Sequence, residues 1–244
     1  MTDEYDVVVV GGGVAGRSAA IFTARHDFET LVLDTGNSLL RRNSHLENYP
    51  GFPAGVNSRL LLDLMAEQAD RVGAEFRESE VTRVAKSGEG FEIETTDCGR
   101  VRSTYVIAAT KNEVSYLEET EGVGVLDRGK AYIDSDERGR TGVEGLYVAG
   151  RLAEKPHQTI ICAGHGAEVA VTLLEDADVG FYHDWVAPEG YFTGRDREVP
   201  PGCEEIDESS RRRREDESLA VFKEFIDEPH PEEPEQHPNV EKSE

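Results

Sequence analysis

Cysteine, basic residues and long apolar runs are all scarce in this chain. It holds three cysteines, Cys98, Cys162 and Cys203, and no C-x-x-C pair. This spacing excludes a redox-active dithiol of that type and a zinc ribbon, so we expect reduced thiols and no metal site. No apolar run approaches the roughly 18 residues of a membrane helix, and the acidic N-terminus does not resemble a signal peptide. We therefore expect a soluble cytoplasmic protein.

Basic side chains are heavily outnumbered. The chain has 26 Lys and Arg against 50 Asp and Glu, a formal net charge of -24. The negative electrostatic potential of such a chain repels nucleic acid and anionic membranes, so we expect neither as a partner. The same excess is typical of adaptation to high salt, where a Debye length of about 3 Å at 1 M screens self-repulsion. We therefore expect a halophilic protein that requires salt.

The N-terminal residues carry a strand–helix–strand pattern. Tyr5–Val10 is a continuous β-branched run, typical of a parallel strand buried on both faces. Val14–Arg25 keeps small apolar residues on one helical face, and Thr30–Asp34 is a second buried strand. Together they form a βαβ unit of about 30 residues.

A glycine turn joins the first strand of this unit to its helix. Gly11, Gly13 and Gly16 form a G-x-G-x-x-G motif, and Asp34 ends the second strand. The glycines let backbone N–H groups approach a pyrophosphate at the helix N-terminus. Asp34 would accept hydrogen bonds from ribose hydroxyls and repel a 2′-phosphate. The pattern predicts NAD or the adenosine half of FAD rather than NADP.

The rest of the chain completes an α/β pattern. We predict a loop at Asn37–Pro53 and a helix that is capped by Asn57 or Ser58 and ends at Gly73. Three short strands follow near Val81–Lys86, Gly90–Thr95 and Ser103–Ala109, and the first two form a hairpin. An irregular stretch at Lys111–Gly129 is followed by strands at Lys130–Asp134 and Leu146–Ala149 and by a helix at Gln158–Glu175. The sequence therefore predicts a single Rossmann-like domain with a central parallel sheet and a small three-stranded β-meander, plus a C-terminal extension.

The C-terminal extension differs in composition from the rest. The aromatic residues Phe181, Tyr182, Trp185, Tyr191 and Phe192 are dense enough to indicate a packed extension or subunit contact rather than a ligand box. A short amphipathic helix is expected over 219–226, after a solvated lead-in of four arginines. We predict a domain at 1–178 with halves 1–110 and 128–178, the extension at 179–228, and a disordered acidic tail at 229–244.

Three further motifs identify a family. Gly145–Arg151 reads G-L-Y-V-A-G-R and leads into a helix beginning at Gln158, Leu46–Pro53 reads L-E-N-Y-P-G-F-P, and Lys130–Asp134 precedes the first of these. With the glycine turn, they resemble the FAD-binding segments of thioredoxin reductases and their alkyl hydroperoxide reductase relatives, class II pyridine nucleotide-disulfide oxidoreductases. The resemblance covers roughly residues 4–110 and 128–175. It implies that the predicted domain binds FAD.

The resemblance also implies a role for each matching residue. The pyrophosphate would be held by Gly11, Gly13, Val14, Ala15 and Gly16, the adenosine ribose by Asp34, and adenine by the backbone of Val81. Asn48 would lie near the flavin ring, Ala109 and Thr110 would close over the cofactor, and Gly150 would lie at the pyrophosphate and the ribityl chain. The flavin pyrimidine oxygens would accept hydrogen bonds from backbone N–H groups of Gln158, Thr159 and Ile160. A helix N-terminus at that position stabilises the negative charge of reduced flavin.

The sequence departs from the family pattern at two places that matter. The family inserts a nicotinamide-binding domain where this chain has only Lys111–Gly129, too short for a second βαβ unit. Arg151 replaces an Asp that accepts a ribityl hydroxyl hydrogen bond; Arg cannot accept one but could pair with the pyrophosphate. We therefore expect electrons from an external donor: a reduced nicotinamide, a ferredoxin-like protein or a partner subunit. Family members dimerise through this domain, so we expect a homodimer.

No catalytic residue is assigned by the sequence. His45 and His165 are candidate proton carriers, although a surface or core histidine is the commoner outcome. Cys162 lies in the helix expected to meet the flavin, where packing is the simpler explanation.

The leading hypothesis is an FAD-dependent oxidoreductase that does not act through its own dithiol. Two alternatives stay open. One is a non-catalytic flavin- or nucleotide-binding module or partner subunit, including a degenerate scaffold. The other is a single-domain NAD-binding enzyme of the thiazole-synthesis type, which the Asn48–Phe52 loop disfavours.

Overall fold

Two compact units make up the chain. The computed structural model describes residues 3–180, 184–237 and 239–240. The first unit holds Met1–Leu173 and Glu232–Glu244, and the second holds Leu174–Pro231.

The first unit is built on a seven-stranded sheet. The strands and helices of residues 3–176, in chain order, are β1 Asp3–Val10, α1 Val14–Arg25, β2 Thr30–Asp34, α2 Ser58–Arg71, β3 Glu75–Glu78, β4 Val81–Ser87, β5 Gly90–Thr95, β6 Arg100–Ala108, β7 Val125–Asp127, β8 Ala131–Ile133, β9 Leu146–Val148 and α3 Thr159–Asp176. The strand order is β3-β2-β1-β6-β5-β4, and β9 pairs with the end of β6. Strands β1, β2, β3, β6 and β9 are parallel, whereas β4, β5 and β6 form an antiparallel meander. The predicted α/β fold is confirmed.

The sheet is covered on both faces, as the unbroken valines of β1 require. Val7 and Val9 pack in one cluster with residues of α1 and α3, while Val8 and Val10 pack with the meander on the other face. All four are at most 3% exposed. A strand buried on both sides cannot alternate polar and apolar residues, which explains the continuous β-branched run.

The short segment that joins β6 to β8 belongs to the core. It contains one 3₁₀ turn, Ser115–Leu117, and the strand β7, which pairs with β8. Leu117 is fully buried in the same cluster as Val8, and the hydroxyl of Thr120 donates a 2.6 Å hydrogen bond to the carbonyl oxygen of Val84. No second βαβ unit is present within residues 111–129.

The second unit contains a small parallel ribbon and a long helix. Strand β10, Trp185–Pro188, pairs with β11, Cys203–Ile206, and α4 spans Glu208–Ile226. The ring centroids of Trp185 and Tyr191 are 4.7 Å apart in edge contact, so part of the predicted aromatic cluster packs together. Phe181 and Tyr182 lie outside the described residues.

The helix α4 begins earlier than the apolar pattern predicted. The prediction that the four arginines precede the helix was wrong, because Arg211–Arg214 lie inside it. The carboxylate of Asp207 accepts a 2.7 Å hydrogen bond from the backbone N–H of Ser210 and caps the helix. Ion pairs one turn apart, such as Arg211 with Glu215 at 2.5 Å, support a turn that has no buried face.

Candidate functional site

A cavity of about 740 Å³ lies where the parallel strands β1, β2 and β6 end. That volume is in the usual range of ligand sites, and the carboxyl ends of such strands are where α/β folds bind ligands. Most of the residues predicted to hold the cofactor line its wall. These are Gly11, Gly13, Val14, Ala15, Asp34, Asn48, Val81, Ala109, Thr110, Arg151, Gln158 and Thr159. Gly16, Gly150 and Ile160 are not in the wall.

The glycine turn after β1 is shaped partly by the protein's own packing. Gly11 has φ +103°, and a Cβ there would lie 2.8 Å from the carbonyl oxygen of Ala109. A Cβ at Gly16 would collide with the carbonyl oxygen of Gly11. These two glycines therefore keep the turn tight and the helix close to the strand.

Gly13 is different, because its open side faces the cavity. Its backbone is extended at φ -74°, and the nearest atom to an added Cβ would be Oγ of Ser38 at 3.7 Å. Nothing inside the protein requires glycine at this position. A bare backbone at the N-terminus of α1 leaves space for a phosphate beside unpaired N–H groups, so the turn fits a pyrophosphate.

Asp34 sits directly over this turn. A Cβ at Gly12 would collide with its carboxylate, so the missing side chain lets Asp34 approach the turn. The guanidinium of Arg17 lies 3.9 Å from the carboxylate and also donates to the carbonyl oxygens of Gly12 and Leu62 at 2.6 and 2.8 Å. Arg17 is buried, and burial lowers the pKa of its guanidinium although Asp34 opposes the shift. Arg17, which the sequence did not single out, thus holds Asp34 at the cavity wall.

The second glycine bend meets the first at Ala15. Gly150 has φ +65°, and a Cβ there would lie 2.7 Å from Cβ of Ala15. On α3, a Cβ at Gly166 would collide with the carbonyl oxygen of Ala15. The predicted opening and closing segments of the site are therefore in contact, although some 135 residues separate them in sequence.

The N-terminus of α3 contacts the loop that carries the N-Y-P-G-F motif. The side-chain N–H of Asn48 donates a 2.8 Å hydrogen bond to the amide oxygen of Gln158. The first N–H groups of α3 have no intrahelical acceptor, so Thr159 can offer one to an anion in the cavity. Ile160, in contrast, is 38% exposed and outside the wall.

Arg151 and the stretch from Asn37 to Leu40 form part of the wall and leave the cavity open. The guanidinium of Arg151 donates to the hydroxyl of Tyr132 and, at 3.0 Å, to the carbonyl oxygen of Lys155. It also lies 4.8 Å from the centroid of the Tyr132 ring. These contacts fix the side chain at the wall, where a small residue would leave a larger space.

Several basic groups at this part of the cavity were missed by the sequence. Arg42, Lys111 and His157 line the wall with Arg151. Burial, and then the charges of Lys130, Arg42 and Arg151, lower the pKa of Lys111. Burial and the charges of Lys111, Arg151 and Lys130 lower the pKa of His157. Mutual repulsion of this kind favours an anionic ligand.

The joining segment also contributes Tyr116, which was not predicted as a site residue. The buried hydroxyl of Tyr116 is 2.9 Å from Oγ1 of Thr110, which donates to the carbonyl oxygen of Glu113 at 2.6 Å. Burial raises the pKa of Tyr116 above its usual value. The phenol is therefore neutral and fixed at the wall. An aromatic residue a few positions after the A-T dipeptide was the one available signal.

The three weak catalytic candidates differ in position. His45 is exposed, 2.9 Å from the carboxylate of Glu47, and outside the wall. His165 is buried, and its Nδ1 accepts a 3.0 Å hydrogen bond from the N–H of Gly150. Cys162 lines the wall, donates to the carbonyl oxygen of Pro156 at 3.5 Å, and has a pKa raised by burial. Only the cysteine faces the cavity, as a neutral thiol.

Two features are absent from the part of the chain that the structure describes. Its His, Cys, Asp and Glu side chains form no group of three that could hold a metal ion. None of its helices has the length and apolar character needed to cross a membrane.

Comparison with known proteins gives a family and a set of relatives. The model of the FAD binding domain family matches residues 6–188. Thioredoxin reductase of Aquifex aeolicus is 36% identical over 128 residues, which are 50% of this chain and 40% of that protein. The ferredoxin–NADP reductase of Levilactobacillus brevis is 30% identical over 173 residues, 68% of this chain and 48% of that protein. The chain thus spans less than half the length of these relatives.

Solved structures show the same fold. A thioredoxin reductase from Gloeobacter violaceus aligns with a TM-score of 0.65 at 18% identity, covering 75% of this chain and 98% of that one. A ferredoxin-flavin thioredoxin reductase from Clostridium acetobutylicum aligns with a TM-score of 0.63 at 15% identity, covering 73% and 99%. The resemblance to the flavin domain of thioredoxin reductases is confirmed, and no nicotinamide domain is found in the described residues.

Proposed function

Because this chain belongs to the FAD binding domain family and binds FAD, we propose that it is an FAD-dependent oxidoreductase of thioredoxin-reductase descent that takes electrons from an external donor. The observation that carries the proposal is the cavity between two glycine bends, combined with a joining segment that is part of the core. The first gives a place for the cofactor. The second leaves no built-in nicotinamide site within residues 111–129.

The proposed roles of the residues follow from their positions. The N–H groups beside Gly13 and the N-terminus of α1 would bind the pyrophosphate, and Asp34, held by Arg17, would accept the ribose hydroxyls. Asn48 and the first N–H groups of α3 would orient the flavin through its polar edge. The roles proposed for Gly16, Gly150 and Ile160 are indirect, since none lines the cavity.

Bound FAD supplies hydride or electron transfer, and the protein supplies binding, orientation and electrostatics. The thiols do not provide a dithiol relay. Cys98 is exposed, Cys162 is buried and Cys203 is half-buried, and none of the three forms a disulfide in the part of the chain that the structure describes. We therefore propose that the protein does not reduce thioredoxin directly. A reduced nicotinamide, a ferredoxin-like protein or a partner subunit would deliver the electrons.

A visible spectrum tests this function. We expect the protein purified in molar KCl and reconstituted with FAD to be yellow, and to be bleached anaerobically by NADH, NADPH or reduced ferredoxin within seconds. Bleaching by dithionite alone would favour a non-catalytic flavin module. A colourless protein that cannot be reconstituted would overturn the proposal and leave a scaffold or an NAD-binding enzyme.

We further propose a cytoplasmic homodimer with the domain boundaries given by the sequence, 1–178, 179–228 and 229–244. The dimer is supported by the behaviour of the family, and the aromatic group of Trp185, Tyr191 and Phe192 supports a packed extension. Light scattering at 2 M KCl would test the dimer. A monomer at micromolar concentration would contradict it.

A further inference from the structure

The basic groups at one end of the cavity stand out against the charge of the whole chain. Arg42, Lys111, Arg151 and His157 line the wall, and Lys130 lies close enough to repel both Lys111 and His157. We call these five residues the basic cluster. In a chain with a formal net charge of -24, their convergence is unexpected for a solvated surface.

Most of the charge of the basic cluster is not neutralised by the protein. Among the described residues, Lys111 and Lys130 form no ion pair, and Arg151 donates only to a phenol and a carbonyl oxygen. Arg42 has a single acidic neighbour, Glu235, at 3.7 Å. Asp34, Glu80 and Glu113 also line the cavity, but among the described residues none of these carboxylates forms an ion pair with the cluster. The carboxylate of Glu113 accepts hydrogen bonds from the N–H and hydroxyl of Ser115.

Two members of the basic cluster, Lys111 and Lys130, lie at the ends of the segment that joins β6 to β8, and neither belongs to the glycine turn or to α1. The proposed pyrophosphate site consists of the glycine turn and the N-terminus of α1, whereas Lys111 lies three residues after the end of β6 and Lys130 directly precedes β8. The short joining segment therefore brings both lysines to the same end of the cavity as Arg151 and His157.

Lys111 has a backbone conformation that such a side chain rarely adopts. Its φ is +67°, in the left-handed region that favours glycine. A lysine held there is strained relative to glycine. Its half-buried ammonium also bears a desolvation penalty. Both costs are offset if the ammonium binds an anion.

We propose that the basic cluster binds the oxyanion group, a carboxylate or a phosphate, of a small organic substrate that is oxidised or reduced at the flavin. This inference rests on the proposed function. A small ligand fits better than an acidic protein, because Lys111 and Arg151 are only partly exposed and the acidic surface of the chain repels acidic proteins. A carboxylate or phosphate can enter the cavity and accept hydrogen bonds from two or three of these donors.

Binding of inorganic phosphate and of acetate to the FAD-loaded full-length protein tests the proposal. Equilibrium dialysis at fixed ionic strength is run on the parent protein and on Lys111→Gln, Lys130→Gln and the control Lys223→Gln, which removes the same charge from α4. We expect saturable binding of at least one probe, weakened roughly tenfold by each of the first two substitutions and unchanged by the third. The FAD affinity of all variants should equal that of the parent.

Three outcomes would overturn the proposal. One is the absence of saturable binding of either probe, and another is equal binding by all four proteins. The third is loss of FAD affinity in Lys111→Gln and Lys130→Gln, which would assign the cluster to the cofactor. If neither probe binds but both substitutions slow reduction by ferredoxin, the cluster is instead a protein-docking surface. If a donor bleaches the protein but the protein binds neither probe, this inference is overturned and the proposed function stands.

Discussion

The backbone N–H of Gly150 donates a 3.0 Å hydrogen bond to Nδ1 of His165, whose side chain is buried on α3. This bond ties the second glycine bend to the helix that meets the cavity. It also requires an imidazole with an unprotonated Nδ1, because a protonated ring nitrogen cannot accept. The contact makes the closing segment of the site sensitive to pH.

We predict that stability falls as the pH drops below the ordinary histidine pKa of 6.5 because of this contact. Burial, with a smaller contribution from Lys155, lowers the pKa of His165, although Glu137, Glu168 and Asp136 oppose the shift. The unfolded chain therefore binds a proton that the folded chain does not. The loss is at most about 1.4 kcal/mol per pH unit between the two pKa values. Urea unfolding at pH 5 to 8 measures it.

The variant His165→Asn isolates this effect, because an amide oxygen can accept the Gly150 hydrogen bond without titrating. We expect its stability to depend less steeply on pH than that of the parent. The control His237→Asn changes an exposed histidine and should retain the parental slope. Identical slopes for parent and His165→Asn would show that the imidazole does not titrate with folding.

Two glycines of the same turn should respond differently to alanine. Gly13→Ala should cost less than about 1 kcal/mol of stability, mainly from poorer capping, but weaken FAD binding tenfold or more, because its methyl group enters the cavity. Gly16→Ala should destabilise the fold itself, because its methyl group collides with the Gly11 carbonyl. Thermal melts of the FAD-free proteins and flavin fluorescence titrations separate the two. Normal FAD affinity in a folded Gly13→Ala protein would contradict the proposed pyrophosphate site.

The acidic C-terminal segment should stabilise the cavity wall. Glu232 forms a 2.5 Å ion pair with Arg41, and its carbonyl oxygen accepts a 3.1 Å hydrogen bond from the buried Arg59. Arg59 in turn donates to the carbonyl oxygens of Arg41 and Asn43 next to the cavity. Ending the chain after Pro231 removes an acceptor from a buried charge, which costs about 1–3 kcal/mol.

We expect that truncation to lower the melting temperature and to weaken FAD binding severalfold, as measured by flavin fluorescence. Glu233→Gln in the full-length chain is a suitable control, since Glu233 is exposed and no contact of its side chain is seen. An unchanged melting temperature after truncation would mean that residues 232–237 do not hold this wall in solution. The disorder expected for 229–244 stays a prediction.

High salt should stabilise the fold. At a net charge of -24, self-repulsion opposes compaction, and screening at molar ionic strength removes most of it. The surface ion pairs that salt weakens contribute little each. We expect the melting temperature to rise steadily between 0.1 and 2 M KCl. A melting temperature that is equal or higher in 0.1 M KCl would contradict adaptation to salt.

Some elements could be predicted from sequence because local chemistry determines them. The bounds of α1 and β2 agree with the prediction residue for residue, because a glycine turn, small helical residues and a β-branched run act over short distances. The hairpin at Ser87–Gly90 is also confirmed. Strand β3 was missed because Glu75–Glu78 carries charge at both ends and lies at the sheet edge, where little apolar pattern is required.

The site was predictable only where a motif carries it. Gly11, Gly13, Asp34 and the start of α3 line one cavity, whereas the role of each residue stays a prediction. Arg17, Lys111 and Tyr116 were not predicted as wall or supporting residues, because each depends on contacts with segments distant in sequence. Arg151 was expected to face a phosphate, and its contacts with Tyr132 and Lys155 could not be read from the sequence. Long-range packing, rather than local propensity, placed these groups.

The joining segment with Leu117 in its centre has a consequence for engineering. Because Leu117 and Thr120 fill space between the sheet and the meander, the two halves of the fold are not connected by a spare loop. A chimera that grafts a complete hydride-donating module between Thr110 and Lys130 would have to supply replacement side chains for that space. Conversely, an ancestor that lost such a module would have needed new apolar side chains in the shortened segment to fill the space that the module left in the core.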